Sequence, residues 1–309
     1  MSETVVNVKF LRNETVESVH KVNVFTENSD SELFFPRSSV KPFQIIPLLV
    51  ESEKKNIFFD SNEIALFGSS HSGEQMHVEL LNKISHKYEI DLDLLFCGPQ
   101  RPFFDTYADQ ILKSGESFNS QHNNCSGKHL SMLIFSKILN EDLNGYQNLN
   151  HPIQIYISKF FSEIFEDSNL EYSIDGCGLP AVKVSSHKFL LALKKIQSSK
   201  YQKFFDSVFD AYTNFPEIIG GTNRTDTNIM KASNGKVMAK SGAEGVLIVT
   251  NKDKSYIFKC LDGNKRGVDL AATNYLNKIG LINEEPYNYL KSLYSKNLQD
   301  DLFVDIKIN

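Results

Sequence analysis

Several features that are common in proteins are missing from this chain of 309 residues. It contains no tryptophan and only four cysteines, and its formal net charge is −5 without any basic stripe. No apolar run approaches the ~18 residues that a membrane-spanning helix requires. We therefore expect neither a membrane nor a nucleic acid as a partner.

The N-terminal stretch MSETVVNVKF lacks the basic and apolar segments of a secretory signal, so we predict a cytoplasmic protein. The cysteines, at positions 97, 125, 177 and 260, are spread widely along the chain. Without a signal, this spacing favours free thiols or metal ligands over a disulfide framework. Apolar residues make up 41% of the chain, which is enough for a sizeable core.

Strand patterns occur at both ends of the chain. Residues 5–10 alternate between apolar and polar, and residues 19–25 are rich in β-formers, which together predict an antiparallel pair. Near the other end, residues 236–240, 245–250 and 255–260 are predicted to be strands, the last two joined by the polar turn NKDK.

Helical patterns fill the middle of the chain. A further apolar stripe predicts a helix over 267–280, near the C-terminus. The predicted helices of the middle cover residues 43–52, 73–87, 106–114, 128–140, 151–167 and 187–212.

These patterns predict an α+β fold. Strands from about 1–36 and 235–309 would form an antiparallel sheet flanked by helices, and the site-bearing middle would span about 37–234. No repeat or low-complexity linker marks a boundary, so we predict a single catalytic domain over residues 1–309.

The first motif with chemical potential is RSSVKPFQ, residues 37–44, where Ser38 precedes Lys41 by three positions. If Ser38 begins a helix, Lys41 lies one turn along, and a neutral amine there could take the proton of the serine. Pro42 disfavours helical geometry at Lys41, although a proline in the first turn gives up an N–H that has no helical partner. Alone, the motif is more typical of a serine cap beside a solvated lysine.

A second motif, Lys240-Ser241-Gly242, ends a predicted strand. Penicillin-binding proteins and serine β-lactamases use a Ser-x-x-Lys followed by a Lys-Ser/Thr-Gly in this order. A second ammonium near Lys41 would help to keep one of the two lysines neutral, and the strand edge would supply a backbone donor for an oxyanion. The alternative is an ordinary strand end.

Two further motifs are loops or turns rich in glycine with serine or threonine. In GSSHSGEQMH, residues 68–77, Ser70 and His71 lie in a Gly/Ser-rich turn that could approach a ligand, or the turn is only the capping box of the next helix. In GGTNRTDT, residues 220–227, backbone N–H groups and Arg224 could bind an anion, or the segment is only a polar loop.

The third kind of motif is rich in sulfur. In HNNCSGKH, residues 122–129, Cys125 and His129 are four positions apart and Lys128 lies between them. A distant DGCG adds Cys177 in a tight turn. Two cysteines with a histidine or a lysine could bind zinc and leave a position for water, but the spacing matches no zinc finger. Two buried structural thiols are the alternative.

Together, these motifs closely resemble the asparaginase II family, the Rhizobium etli-type L-asparaginases. They follow the family order over residues 37–246 and are RSSVKPFQ, SSHSGE, HNNCSGKH, DGCGLP, GGTNRTDT and AKSGAEGV. The resemblance implies a fold related to serine β-lactamases and glutaminases, hydrolysis of L-asparagine to L-aspartate and ammonia, and a homodimer. The chain departs from relatives at Asn223, where they often have glycine.

The resemblance also implies two Ser-Lys pairs, Ser38 with Lys41 and Ser70 with Lys240. As a hypothesis, Ser38 attacks the side-chain amide carbon, ammonia leaves, and water cleaves the resulting ester. Lys41 would act as general base, while Lys240 and Ser70 would relay protons.

A zinc ion in such enzymes is held by two cysteines and a lysine, which fall here on Cys125, Cys177 and Lys128. Because zinc needs a lone pair, the lysine would bind as the neutral amine. The resemblance leaves open whether turnover requires the metal.

The charges of the substrate itself suggest further candidates. A guanidinium suits the α-carboxylate of asparagine, which points to Arg37 or Arg224, and a carboxylate suits the α-ammonium, which points to Asp175. His129 is a further candidate for substrate binding. Other possible functions are a different serine amidohydrolase on the same scaffold, such as a glutaminase, a DD-peptidase or a β-lactamase, and a non-enzymatic zinc-binding protein.

Overall fold

The computed structural model describes residues 4–309. Helices fill most of the middle of the chain, where only the strand pair at 171–185 interrupts them, whereas most of the strands lie near the two ends. The strands are β1 (Thr4–Arg12), β2 (Thr15–Phe25), β3 (Leu33–Phe34), β4 (Glu171–Ile174), β5 (Pro180–Ser185), β6 (Met238–Gly242), β7 (Val246–Thr250), β8 (Ser255–Cys260) and β9 (Asp305–Ile308).

The helices surround the strands on several sides, and short 3-10 turns at 37–40, 92–94, 120–122 and 196–198 join some of them. The α-helices are α1 (Lys41–Gln44), α2 (Ile46–Lys54), α3 (Ser61–Gly68), α4 (Gln75–Tyr88), α5 (Asp105–Lys113), α6 (Ser126–Leu139), α7 (Pro152–Ile164), α8 (Ser186–Lys195), α9 (Gln202–Asn214), α10 (Pro216–Ile219), α11 (Thr225–Ala232), α12 (Lys265–Lys278) and α13 (Glu285–Ser295).

The larger sheet joins the two ends of the chain. Its strand order is β6-β7-β8-β2-β1-β9, and the paired strands run antiparallel. Asn13 and Glu14 connect β1 to β2 with φ angles of +46° and +68°, as a tight hairpin turn requires. The α+β prediction, with a sheet built from N- and C-terminal strands, is confirmed.

The core extends from this sheet into the helical layer without interruption. Val8 in β1 and Leu270 in α12 are both fully buried and belong to the same cluster as Leu133 in α6. Helix α6 is buried along almost its whole length, so it lies inside the helical layer and can carry polar side chains away from bulk water. Among the described helices, none combines the length and the apolar character that a membrane crossing would need.

The sequence prediction was wrong in some parts of the middle. Residues 187–212 form two helices, α8 and α9, separated by a 3-10 turn at 196–198 that the bond from the Ser199 hydroxyl to the Ile196 carbonyl closes. The hairpin of β4 and β5 was missed, as were α3, α10, α11, α13 and β9. The single domain over 1–309 stays a prediction.

Candidate active site

The Ser38 segment bends sharply where it meets the sheet. Arg37 has a φ of +53°, an uncommon conformation for a residue with a side chain, and Ser38 follows in a single 3-10 turn. The Lys41 N–H donates to the Ser38 carbonyl, and Lys41 then begins α1 with Pro42 in its first turn. The motif therefore has the helical character predicted, and Pro42 occupies a position where no N–H is needed.

Gly242 at the end of β6 allows the strand to approach this bend. A Cβ atom on Gly242 would lie only 2.5 Å from the Pro36 carbonyl oxygen. Any larger residue would therefore push the strand away from the segment that carries Ser38. This contact brings the Lys240-Ser241-Gly242 motif next to the Ser-x-x-Lys motif.

The amine of Lys41 is buried and makes three contacts. It donates to the Ser69 carbonyl at 2.6 Å and to the Ser70 hydroxyl at 2.9 Å, and it lies 3.4 Å from the Cys125 sulfur. Within residues 4–309, no hydrogen bond joins Lys41 to the Ser38 hydroxyl. The structure thus brings Lys41 to Ser70 rather than to Ser38.

The amine of Lys240 is equally buried. It donates to the Ser241 carbonyl at 2.7 Å and lies 3.7 Å from a carboxylate oxygen of Asp226. Burial lowers the pKa of Lys240 to about 7, although the Asp226 charge opposes this effect. Lys240 makes no hydrogen bond to Ser70 in the described part of the chain. A lysine in this state can both release and accept a proton near neutral pH.

A cleft of about 420 Å³ opens over these groups. Both Ser38 and Ser70 line it, together with Arg224, Glu244 and further residues from four segments of the chain. Its volume falls within the range of small-molecule sites. The other lining residues are Phe103, Asn124, Ser241, Gly242, Ala243, Gly245, Val246, Gly263, Lys265, Val268 and Asp269.

Arg224 presents an uncommitted charge to this cleft. Its guanidinium carbon lies 5.3 Å from the centre of the Phe103 ring, and its buried Nε atom has no hydrogen-bond partner within residues 4–309. The preceding residue Asn223 has a φ of +59°, a conformation that glycine adopts freely and asparagine tolerates. The loop therefore keeps the backbone that a glycine would allow.

A second, much smaller recess of about 20 Å³ lies next to the cleft. Ser38 is the residue common to the two linings. The recess has room for little more than one water-sized group. Besides Ser38, its lining consists of Arg37, Val40, Lys41, Gln44, Lys128, Asp175, Cys177, Leu179, Pro180, Ala181 and Val182.

Arg37 and Asp175 meet at this recess. Arg37 donates twice to one carboxylate oxygen of Asp175, at 2.9 Å from Nε and 2.5 Å from Nη2. Both side chains are largely but not fully buried, with exposed fractions of 23% and 20%. The two predicted substrate-binding residues therefore neutralise each other in this structure, and an amino-acid zwitterion would have to compete with or extend the pair.

The predicted metal ligands converge as well. Cys125 caps the N-terminus of α6, and Cys177 lies in the turn between β4 and β5, as predicted from DGCG. The Cys177 thiol and the Lys41 charge lower the pKa of Cys125 to about 6, against the effect of burial. The hydrogen bond that the Cys177 thiol donates to the Cys125 sulfur, together with burial, raises the pKa of Cys177. One thiol is thus poised to be a thiolate.

Lys128 completes this set with an amine that is almost entirely buried. Its nearest polar contact is the Met132 sulfur at 3.6 Å, and it makes no ion pair among the described residues. Burial, reinforced by the Lys41 charge, lowers its pKa well below the usual value. A thiolate, a second thiol and a neutral amine are a donor set that suits zinc, so the residues present fit the ion that the resemblance implies.

His129 does not reach either cavity. It is fully buried, its Nδ1 lies 2.6 Å from the Tyr146 hydroxyl, and its Nε2 has no partner in the described chain. Burial and the nearby Lys41 and Lys128 lower its pKa to about 3, so it is neutral. Direct substrate binding by His129 stays a prediction, and the side chain lies outside the linings of both cavities.

A match to a protein-family model shows the family to which the chain belongs. A family model described as L-asparaginase II matches residues 8–302, which is nearly the whole chain. The chain belongs to the L-asparaginase II family. No curated protein matches it. Membership of this family supports an amidohydrolase of the L-asparaginase type.

Sequence reasoning missed one polar cluster beside the cleft of this L-asparaginase II protein. His20 Nδ1 lies 2.6 Å from Asp262, and the Cys260 thiol donates to the other oxygen of that carboxylate at 2.9 Å. Three such side chains could hold a metal ion. However, Arg266 donates to His20 Nε2 at 2.9 Å, which places the imidazole proton on Nδ1 and leaves no lone pair there. The cluster instead anchors the turn that carries Gly263 to the cleft wall.

It also missed Asp226 as part of the site. Asp226 is fully buried and accepts hydrogen bonds from the Ser241 N–H at 3.2 Å and from the Ser241 hydroxyl at 2.7 Å. The signal in the sequence is the acidic residue two positions after Arg224 in GGTNRTDT, a segment that predicts either an anion-binding loop or only a polar loop. The segment from Thr225 onward is in fact helix α11, which points this carboxylate at Lys240.

Proposed function

We propose that this protein is an L-asparaginase that hydrolyses L-asparagine to L-aspartate and ammonia through a serine ester. Ser38 carries the proposal, because it alone lines both the substrate-sized cleft and the recess that Lys41, Lys128 and Cys177 also line. Family membership supports the amide chemistry.

In the proposed mechanism, the Ser38 oxygen bonds to the side-chain amide carbon and the carbon–nitrogen bond breaks. The departing nitrogen takes a proton and leaves as ammonia. Water then adds to the β-aspartyl ester, which releases aspartate and restores the serine. The reaction balances without any oxidant or further reactant.

Lys41 acts as the general base in this proposal. The 2.9 Å contact between its amine and the Ser70 hydroxyl supports a relay in which Ser70 passes the proton of Ser38 to Lys41. Lys240 supplies the proton that leaves with ammonia, which suits an amine with a pKa of about 7. Both amines are buried, so they exchange protons with the substrate rather than with bulk water.

Recognition of the amino acid is proposed to use both cavities. The uncommitted guanidinium of Arg224 in the cleft suits the α-carboxylate. Asp175, at the recess, suits the α-ammonium. When the substrate enters, Arg37 would have to give up at least one of its two hydrogen bonds to Asp175. This arrangement would place the side-chain amide near Ser38.

Zinc is proposed to bind to Cys125, Cys177 and Lys128. Bound there, it would act as a Lewis acid beside the recess and fix the position of the hairpin that carries Asp175. Burial keeps Lys128 as a neutral amine, and Lys41 favours the thiolate of Cys125. We also propose a cytoplasmic homodimer, for which size-exclusion chromatography with light scattering provides the test.

Ammonia release from purified protein tests the function. L-Asparagine and L-glutamine should be compared side by side, with and without added zinc, in the wild type and in Ser38→Ala. We expect release from asparagine, loss of it in Ser38→Ala, and retention in Ser39→Ala, whose hydroxyl donates only to the Pro36 carbonyl. Release from glutamine alone, or none at all, would move the assignment to another amide or ester substrate.

A further inference from the structure

Burial of the Asp226 carboxylate is energetically unfavourable. Its side chain has an exposed fraction of 0%, yet its Oδ1 atom has no hydrogen-bond partner within residues 4–309. A buried carboxylate with an unsatisfied oxygen reduces the stability of the fold. A carboxylate kept in such a place needs a reason other than stability.

The other oxygen of Asp226 touches the end of strand β6. It accepts the Ser241 N–H and hydroxyl, at 3.2 Å and 2.7 Å, and lies 3.7 Å from the Lys240 amine. Lys240 in turn donates to the Ser241 carbonyl at 2.7 Å. The carboxylate therefore fixes both the backbone of the Lys-Ser-Gly motif and the direction of the Lys240 side chain.

The charges facing Lys240 come from several elements. Asp226 reaches it from α11, Arg224 from the loop before α11, Lys41 from the start of α1 and Cys125 from the N-terminus of α6. Two of these groups are cations that disfavour a protonated Lys240. Asp226 forms the only ion pair with Lys240 among the described residues, so it is the main group that favours protonation.

We propose that Asp226 is a positioning residue that holds Lys240 and Ser241 in place and sets the fraction of Lys240 that is protonated at neutral pH. Lys265, which pairs with Asp269 and donates to the Thr225 hydroxyl, also faces Asp226 and helps to keep it ionised. Burial raises the pKa of Asp226, but Lys240, Arg224 and the Ser241 hydroxyl outweigh it and bring the value to about 2. Asp226 is thus a permanent charge throughout the working range.

This inference rests on the proposed function only where it says that Lys240 takes part in turnover. The test is the pH profile of kcat/KM for ammonia release in the wild type and in Asp226→Asn. Asparagine keeps the shape of the side chain but removes the charge. The pKa of Lys240 should then fall, and the limb of the profile that titrates near pH 7 should move to lower pH by about one to three units.

Glu63→Gln is the matched control. Glu63 is also a buried carboxylate paired with a lysine, Lys87 at 2.8 Å, but it lines neither cavity. The control should lose stability without moving the limb. If Asp226→Asn folds and its limb stays in the wild-type position, the inference is wrong.

Thermal unfolding supplies a readout that does not depend on activity. Because the folded pKa of Lys240 is below its unfolded value of about 10.4, the folded state loses stability as pH falls between those two values and no further below. Without the Asp226 charge the folded pKa is lower still. The Tm of Asp226→Asn should therefore keep falling between pH 7 and pH 5, where this group no longer changes the Tm of the wild type.

The two readouts separate the two hypotheses. If the wild type releases no ammonia from asparagine, the proposed function fails, while the Tm profile still decides whether Asp226 controls Lys240. If ammonia is released and Asp226→Asn shows neither the shifted limb nor the falling Tm, the function stands and the role of Asp226 is refuted.

Discussion

The amine of Lys41 lies 2.9 Å from the hydroxyl of Ser70, a residue that is 29 positions away in the chain. The serine three positions before Lys41, Ser38, makes no hydrogen bond to this amine in the described residues. A lysine that contacts Ser70 and not Ser38 suits a relay through Ser70 better than two separate Ser-Lys pairs, and this distinction can be measured.

Removing the Ser70 hydroxyl should slow turnover without removing the nucleophile. In Ser70→Ala, we expect kcat to fall by about 10²–10⁴, which is typical for the loss of a proton-transfer group. Intact-protein mass spectrometry during turnover should still find the acyl group on Ser38. Ser69→Ala is the control, because its hydroxyl donates to the Leu66 carbonyl and not to Lys41. Acylation at Ser70 in the wild type would reverse the roles of the two serines.

The Arg37–Asp175 pair should affect binding more than chemistry. Asp175→Asn removes the negative charge of this pair. The substitution should raise KM for asparagine at least tenfold with a smaller change in kcat, since the α-ammonium loses its counter-charge. Arg12→Gln removes a guanidinium from an exposed pair with Glu17 and should change neither constant. An unchanged KM in Asp175→Asn would place the α-ammonium elsewhere in the cleft.

Metal binding should depend on Lys128 as a neutral amine. Lys128→Met keeps an unbranched apolar chain of similar length but removes the terminal nitrogen. We expect zinc affinity, measured by calorimetry, to fall by at least tenfold, because one of three protein ligands is lost. Cys97→Ser serves as the control, because the Cys97 thiol contacts the Ser120 carbonyl and lies outside the proposed ligand set. Equal zinc affinity in Lys128→Met and wild type would exclude the lysine as a ligand.

The close approach of β6 to the Ser38 segment should make Gly242 intolerant of a side chain. In Gly242→Ala, the added Cβ would lie 2.5 Å from the Pro36 carbonyl oxygen, so the strand and the turn must separate. We expect a loss of about 1–3 kcal/mol in the free energy of unfolding. Since Ser38 would shift, kcat should fall as well.

Gly176→Ala is the steric control for this experiment. The nearest atom to its added Cβ is Arg37 Nη2 at 3.9 Å, which is an ordinary contact distance. Its Tm should stay close to that of the wild type. A Tm for Gly242→Ala that matches the control would mean that the two segments are free to move apart.

Much of the fold followed from local pattern. Alternation in 5–10 predicted β1, because the side chains of a half-buried strand alternate between core and solvent. The apolar run of 245–250 predicted β7, because a fully buried strand is apolar on both faces. The hairpin of β4 and β5 was not predictable in this way. β4 has only four residues and its Ile174 stays exposed, so no periodic signal marks it, and the alternation in β5 covers only Val182 and Val184.

The candidate site, too, was predictable from the sequence only in part. The residue types and their order along the chain were visible in the sequence: two serines, two lysines, two cysteines, and the turn that carries Asp175. Each of these signals lies within a few neighbouring residues. The sequence therefore determined which chemistry was available, together with the family to which the chain belongs.

Only the tertiary structure decided how these groups meet. That Lys41 contacts Ser70 depends on α1 packing against α3, and that Asp226 faces Lys240 depends on α11 packing against β6. Burial of the Lys240 amine, which lowers its pKa to about 7, depends on the whole core in the same way. A linear pattern specifies side chains, but the distances and the solvent exclusion that tune their pKa values arise from the packing of segments remote in sequence.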